Sequence, residues 1–301
     1  MDQITRAAIS LKGLAVGDCF GETFFINPDL VESLIEQRAL REGRWHYTDD
    51  TNMALSIFSI LRQYGRIDQN ALAKSFALRY DSGRGYGPAM HRLLADINSG
   101  GDWSECAQQL FEGQGSFGNG AAMRVGPVGA FFADDIPRVI EEARRSAVIT
   151  HAHDEAIAGA IAVAVATAQA TQLRDTNGKP ERADFLDFVF SYLPDSEVRS
   201  KVRQARDMSD TASVAFAVSV LGNGVGVSAQ DTVPFALWCA SQHLNDYAEA
   251  LWLTVSGLGD RDTTCAIVGG IVVMMTGVEN IPSDWLQFSE PLPDWPFSEN
   301  S

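Results

Sequence analysis

The chain has 301 residues, 46% of them hydrophobic and 21% charged, which is enough apolar material for a large buried core and is not the composition of a disordered or low-complexity protein. The 39 acidic residues outnumber the 23 basic residues and give a net charge of −16. Because a surface of this sign repels nucleic acid and anionic lipid, we expect no bulk nucleic-acid binding and no membrane partner.

The features that report on cellular compartment indicate a cytoplasmic protein. Asp2 and Arg6 precede the first apolar run, and Gly17-Asp18 interrupts that run, so the N-terminal segment is not typical of a signal peptide. The four cysteines include no CxxC pair, which favours reduced thiols over a disulfide framework.

Helical spacing of apolar residues recurs along the whole chain and predicts roughly a dozen helices. In chain order the predicted helices are Ile4–Leu14, Asn52–Gln63, Asn70–Arg79, Trp103–Phe111, Ala121–Phe131, Pro137–Val148, Asp154–Thr171, Arg182–Tyr192, Thr211–Leu221, Thr232–Gln242, Asp246–Ser256 and Thr263–Thr276. Strand-like alternation is nearly absent, and its closest approach is the short run Phe24–Ile26. The expected fold class is therefore all-α.

A single domain over residues 1–301 is expected, since turn-forming residues cluster only at Thr176–Pro180 and in a tail that begins at about Pro282. We expect that tail to be peripheral. The two longest weakly polar runs, Ala156–Ala168 and Cys265–Thr276, are shorter than the roughly 20 residues that cross a bilayer. They therefore predict central helices of the core.

Two acidic motifs, Thr48–Asp50 and Asp260–Thr263, each stand directly before an apolar helix. Capping of the helix start explains a hydroxyl and an acid at such a position, and Arg261 could neutralise one acid of the second motif. Together, however, four carboxylates with the hydroxyls of Thr48 and Thr263 form an all-oxygen set that suits Mg²⁺ or Mn²⁺. The pair of motifs is more specific than either motif alone.

The loop Gly113–Gly120 contains four glycines in eight residues. It includes the pattern GxGxxG, but the segment before it has helical spacing, so the dinucleotide-binding fingerprint lacks its βαβ context. Glycines let a backbone approach a ligand closely, and amides at the start of the next helix favour a phosphate. The alternative is a tight turn between helices.

Two further segments allow two explanations each. His151 and His153 precede the Ala-rich helix, and either histidine contacts a ligand or caps that helix. The segment Asp81–Gly87 offers backbone amides, a guanidinium and an aromatic ring. It either holds a nucleotide base or forms an exposed turn.

Five motifs in order resemble those of the ADP-ribosylglycohydrolase superfamily, which includes ADP-ribosyl-arginine and ADP-ribosyl-serine hydrolases and the dinitrogenase reductase-activating glycohydrolase. The resemblance covers Leu14 to about Gly277. Its motifs are Gly17–Gly21, Thr48–Thr51, Gly115–Arg124, Thr150-His151 and Asp260–Thr263. The resemblance implies a single-domain orthogonal bundle of helices that binds two Mg²⁺ or Mn²⁺ ions.

The resemblance also implies roles for individual residues. The metal ligands would be Thr48, Asp49, Asp50, Asp260, Asp262 and Thr263. The substrate-binding residues would be Gly115, Ser116, Phe117, Gly118, Asn119 and Gly120 around the diphosphate, and His151 beside the ADP-ribose. Proton transfer is expected from Asp49, Asp50 or Glu22. The chain departs from the family at Phe25, where the family has its N-terminal glutamate, and at Arg261, where the family has a small residue.

The expected function is that of a metal-dependent ADP-ribosylglycohydrolase, which hydrolyses the glycosidic bond at C1″ of ADP-ribose. It would release ADP-ribose from a modified protein side chain or from a small conjugate. A non-catalytic ADP-ribose-binding protein of the same fold is the alternative. A prenyl-diphosphate lyase with Asp-bound Mg²⁺ fits less well, because the segment Asp49–Met53 lacks the distal acid of the DDxxD pattern.

Overall fold

The fold was analysed in a computed structural model that describes residues 1–176 and 181–298. Over these ranges it contains α-helices, two short 3-10 turns and two isolated β-bridges, but no strand. In chain order the helices are α1 (Gln3–Glu22), α2 (Pro28–Glu36), α3 (Asp49–Tyr64), α4 (Gln69–Leu78), α5 (Pro88–Asn98), α6 (Trp103–Gln108), α7 (Leu110–Gly113), α8 (Gly120–Met123), α9 (Gly126–Phe131), α10 (Ile136–Ala147), α11 (Asp154–Asp175), α12 (Arg182–Ser191), α13 (Glu197–Asp207), α14 (Val214–Leu221), α15 (Ala229–Gln242), α16 (Tyr247–Ser256), α17 (Arg261–Thr276) and α18 (Ser283–Phe288). The expected all-α fold class is confirmed.

Helices α1 and α17 lie very close together because glycines line their interface. A Cβ atom at Gly17 would lie 2.2 Å from the Cys265 carbonyl oxygen, and one at Gly21 would lie 2.2 Å from the Arg261 carbonyl oxygen. We expected Gly17-Asp18 to interrupt the first apolar segment, but α1 continues to Glu22. The close packing outweighs the low helix propensity of glycine. It also brings the end of α1 beside the start of α17.

The two weakly polar runs of the sequence form helices of the core. Helix α11 is long and apolar enough to cross a membrane, but 89% of its most apolar window is buried inside the protein. Helix α17 is buried from Thr263 to Met274. Both helices are thus surrounded by other helices of the same chain, as a large apolar core requires.

The structure corrects several predicted helices. Helices α2, α5, α13 and α18 were not predicted, and α13 was missed because only three of its eleven residues are buried. The helix predicted to reach Phe111 ends at Gln108, since Phe111 and Glu112 have left-handed φ angles of 52° and 60°. The helix predicted over residues 121–131 divides into α8 and α9, and Pro127 lies in the first turn of the second.

The C-terminal tail, which we expected to be peripheral, contributes Trp285 to the core. Trp285 is 3% exposed and stacks on Phe20 with ring centroids 4.2 Å apart. Trp45 and Trp252 pack against the Trp285 ring, and the backbone N–H of Glu290 donates to the Trp45 carbonyl. The tail therefore anchors the loop that leads into α3. Residues 177–180, part of the predicted turn, and residues 299–301 lie outside the described residues.

Candidate metal and ligand site

The two acidic motifs meet, because the starts of α3 and α17 face each other. Asp50 is fully buried in the first turn of α3, and the Thr263 hydroxyl of α17 donates to its Oδ1 at 3.2 Å. The Thr48 hydroxyl oxygen lies 2.8 Å from Asp50 Oδ2, and it caps α3 by accepting from the backbone N–H of Asp50 at 3.3 Å. The capping role that the sequence suggested for Thr48 therefore exists alongside its place in the cluster.

Asp18 holds the start of α3 in place, and the sequence did not identify it as a site residue. Its carboxylate accepts hydrogen bonds from the backbone N–H groups of Thr48, at 3.0 and 3.1 Å, and Thr51, at 3.1 Å. The hydroxyls of both threonines also donate to it, at 2.9 and 2.5 Å. Asp18 is fully buried, so these donors replace the water that a carboxylate needs. An acid inside an apolar helix was the signal in the sequence.

The carboxylates of this cluster have strongly raised pKa values. Burial, together with a smaller effect of neighbouring carboxylates, raises the pKa of Asp49 to about 7 and that of Asp260 to about 8. Burial likewise raises the pKa of Asp262 to about 7, and burial together with four nearby acids raises that of Asp50. Within residues 1–176 and 181–298, no ion pair involves any of the four. Among the described residues, these four acids therefore have no basic side chain in direct contact with them.

The donor set fits a hard divalent cation. Asp262 Oδ1 is buried and has no hydrogen-bond partner in the part of the chain that the structure describes. Over the same residues, no three His, Cys, Asp or Glu side chains already converge as a metal-binding group. The fit rests on chemistry: carboxylate and hydroxyl oxygens are the ligands that Mg²⁺ and Mn²⁺ prefer, and a cation among these acids would relieve their repulsion.

A cleft of about 900 Å³ connects the acid cluster to the glycine loop. Asp49, Asp260, Asp262 and Thr263 line one part of it. The predicted substrate-binding residues that line another part are Ser116, Phe117, Gly118, Asn119, Gly120 and His151. The Asn119 side-chain amide donates to Asp260 Oδ2 at 2.6 Å, which ties the loop to the acids.

Gly115 is not among the residues that line the cleft. Its φ angle is +75°, and a Cβ atom there would lie 3.0 Å from Ala152 and from the backbone nitrogen of His153. Gly115 therefore serves the turn of the loop, which is the alternative explanation that the sequence left open for these glycines. Residues 116–120 of the loop line the cleft directly.

The two histidines separate into different roles. His153 caps α11, since its Nδ1 accepts from the backbone N–H of Glu155 at 3.1 Å. His151 lines the cleft, and burial lowers its pKa to about 3.

The residues of the segment Asp81–Gly87 also have different surroundings. Gly85, Tyr86 and Gly87 line the cleft, whereas Asp81 is exposed and pairs with Arg84.

A second pocket of about 750 Å³ adjoins the acid cluster, and no residue of the glycine loop lines it. Asp262 lines both pockets, and Glu22 and Phe25 line the second. Burial raises the pKa of Glu22. Arg261 forms no ion pair within the described ranges, so it does not neutralise Asp260 or Asp262; its guanidinium lies 4.3 Å from the Phe25 ring centroid.

The chain is similar to known proteins in sequence and in fold. The family model described as ADP-ribosylglycohydrolase matches residues 1–294. The chain is 31% identical to ADP-ribosylhydrolase ARH3 of Xenopus tropicalis over 97% of this chain and 93% of the relative, and 28% identical to ADP-ribosylhydrolase ARH3 of Homo sapiens over 95% and 90%. A solved structure described as an ADP-ribosylglycohydrolase-related protein complex superimposes with a TM-score of 0.65 at 23% identity, over 96% of this chain and 93% of that chain.

Proposed function

The chain belongs to the ADP-ribosylglycohydrolase family, whose matched relatives are hydrolases by name, and we propose that it is a metal-dependent hydrolase of the glycosidic bond at C1″ of ADP-ribose. Its products would be ADP-ribose and an unmodified protein side chain or small conjugate. The observation that carries this proposal is the single cleft in which a glycine loop faces a cluster of unpaired carboxylates.

The part of the cleft lined by residues 116–120 and His151, here called the loop half, would bind the diphosphate. Gly118 and Gly120 leave the backbone open to close approach, and a Cβ atom at either would press against the His151 ring. Backbone amides at the start of a helix favour phosphate oxygens. Ser116 and Asn119 add polar side chains to the same wall. Binding energy from the diphosphate would then position the reacting ribose at the acid cluster.

The acid cluster at the starts of α3 and α17, here called the acid half of the cleft, would hold two Mg²⁺ or Mn²⁺ ions. The six expected ligands are Thr48, Asp49, Asp50, Asp260, Asp262 and Thr263. When bound, such ions supply Lewis acidity and lower the pKa of water. The protein's own contribution is proton transfer: Asp49, which lines the cleft, Asp50, and Glu22, which lines the second pocket, are the candidate bases. The second pocket is in a position to receive the leaving group, because it meets the main cleft at Asp262.

Hydrolysis of ADP-ribosylated peptides tests the proposal. Arginine-linked and serine-linked peptides are incubated in parallel with the protein, each with excess Mg²⁺ and with EDTA, and free ADP-ribose is measured. We expect release from at least one peptide that depends on Mg²⁺. Tight ADP-ribose binding without release from either peptide would instead identify a non-catalytic binding protein. Metal-independent release would contradict the role of the acid cluster.

A further inference from the structure

Arg124 is a buried cation that has no carboxylate partner in the described part of the chain. Its guanidinium donates to the Thr150 hydroxyl oxygen at 2.8 Å and to the Ser146 carbonyl at 3.1 Å, and it lies 4.5 Å from the Phe76 ring centroid. Burial lowers its pKa to about 9. Keeping an unpaired charge inside a protein is costly, which points to a role beyond packing.

The Thr150 hydroxyl connects Arg124 to His151. Thr150 is fully buried, and its oxygen lies 2.8 Å from Arg124 Nη2 and 2.7 Å from His151 Nδ1. A guanidinium can only donate hydrogen bonds, so the oxygen accepts from Arg124. Among the described residues, His151 Nδ1 is then the acceptor within reach of the hydroxyl hydrogen. If Nδ1 carried a proton, both neighbours would be donors and that hydrogen would be buried without a partner.

The other ring nitrogen faces the glycine loop. A Cβ atom at Gly118 would lie 3.2 Å from His151 Nε2, and one at Gly120 would lie 2.9 Å from it. Burial and the charge of Arg124 keep the ring neutral at physiological pH, since they lower its pKa to about 3. A neutral imidazole that accepts at Nδ1 carries its proton on Nε2. That proton is directed towards the cleft.

We propose that Arg124 and Thr150 are positioning residues that hold His151 as the Nε2–H tautomer, so that the loop half of the cleft contains a neutral hydrogen-bond donor for an oxygen of ADP-ribose. The identity of the ligand rests on the proposed function; the tautomer does not. Neither Arg124 nor Thr150 needs to contact the ligand. Their effect on binding passes through the orientation and protonation of one ring.

Nitrogen-15 NMR of the full chain tests the tautomer directly, with a His151→Gln variant to assign the resonances. We expect a protonated Nε2 in the wild type and a loss of that preference in Thr150→Val, which removes the hydroxyl. Thr167→Val is the matched control, because Thr167 is also fully buried and its hydroxyl donates to the Val163 carbonyl at 2.8 Å. It should leave the His151 resonances unchanged.

Calorimetric titration with ADP-ribose gives the second readout. Loss of one oriented donor should weaken binding roughly tenfold in Thr150→Val, and Thr150→Ser, which restores the hydroxyl, should recover it. A wild-type ring protonated at Nδ1 overturns the proposal, even where Thr150→Val does not fold, and so does an unchanged tautomer in a folded Thr150→Val. A wild type that binds no ADP-ribose refutes the proposed function instead, while the tautomer comparison still decides the role of Thr150.

Discussion

The acid half and the loop half of the cleft both contain buried ionisable groups, but these groups are acids in the first half and a guanidinium in the second. In the acid half, four carboxylates from the starts of α3 and α17 lie together without a basic partner, and their pKa values are raised. In the loop half, the only fully buried guanidinium of the described chain, Arg124, stands behind neutral His151 and the glycine backbone.

This difference indicates what each half is prepared to bind. Unpaired acids favour cations, and an unpaired cation behind a wall of amides favours an anion. Asn119 joins the halves, because its side chain belongs to the loop and donates to Asp260. The negative charge of the whole chain is therefore compatible with a phosphorylated ligand, since local groups decide the potential in the cleft.

Removing an acid-half ligand should have the largest effect. We expect Asp50→Asn to abolish thermal stabilisation by Mg²⁺ and to lower hydrolysis by at least about 100-fold, because a metal bound there would stabilise the folded state and supply the chemistry. Thermal unfolding with and without Mg²⁺ checks the first effect. Asp68→Asn is the matched control, since Asp68 also stands at a helix start, that of α4. An Asp50→Asn protein that is active and still stabilised by Mg²⁺ would contradict metal binding by the acid half.

Asp18 tests whether the acid half depends on its supporting hydrogen bonds. In Asp18→Asn, one acceptor oxygen is replaced by a donor that faces the N–H and hydroxyl groups of Thr48 and Thr51. The buried groups left unpaired should cost about 1–3 kcal/mol in the free energy of unfolding. Metal affinity should also fall, as the start of α3 loses its anchor. Denaturant unfolding of both proteins measures this, and equal midpoints would show that Asp18 is not needed.

A substitution in the loop half should separate the two functions. In Gly118→Val, the new Cβ atom would lie 3.2 Å from His151 Nε2, and the rest of the side chain would enter the cleft. ADP-ribose binding should therefore weaken by about tenfold or more. Stabilisation by Mg²⁺ should remain. Calorimetry with ADP-ribose and thermal unfolding with Mg²⁺ are the two measurements. Equal loss of metal binding would mean that the loop is structural.

The raised carboxyl pKa values make the stability of the metal-free protein depend on pH. Unfolded aspartates ionise near pH 4, whereas those of the folded acid half retain protons up to about pH 7 to 8. The folded state therefore binds more protons between these values, and stability should fall as the pH rises from 4 to 8. Thermal midpoints in EDTA measure the slope. Added Mg²⁺ should flatten it; a slope that Mg²⁺ leaves unchanged contradicts the account.

Arg261 should have the smallest effect on stability, because it packs on Phe25 and forms no ion pair among the described residues. We expect Arg261→Thr to change the free energy of unfolding by about 1 kcal/mol or less, as for a partly exposed cation–π contact. Its place beside the second pocket predicts a changed preference between arginine-linked and serine-linked substrates. Parallel hydrolysis rates check this. A large loss of stability with unchanged preference would restore a structural role.

Much of this arrangement could be predicted from the sequence, since acids before apolar helices and clustered glycines are local signals. They marked the two halves of the cleft, while helical spacing of apolar residues predicted the all-α class and the family resemblance implied the individual roles. What the sequence could not give was long-range packing. Gly17 interrupts the apolar pattern of the sequence but packs against α17, and Trp285 belongs to the tail that we expected to be peripheral but stacks on Phe20. The roles of Asp18 and Arg124 likewise depend on partners outside their own helix turn, Thr48 for Asp18 and Thr150 for Arg124.

The most direct test of the two-half cleft is a crystal structure of the wild type grown with Mn²⁺ and ADP-ribose. The anomalous signal of manganese locates the metal independently of the protein density. The account predicts manganese between the starts of α3 and α17, in contact with Asp50 and Asp262, and the diphosphate against residues 116–120. Manganese absent from those carboxylates, or ADP-ribose bound outside the cleft, would contradict it.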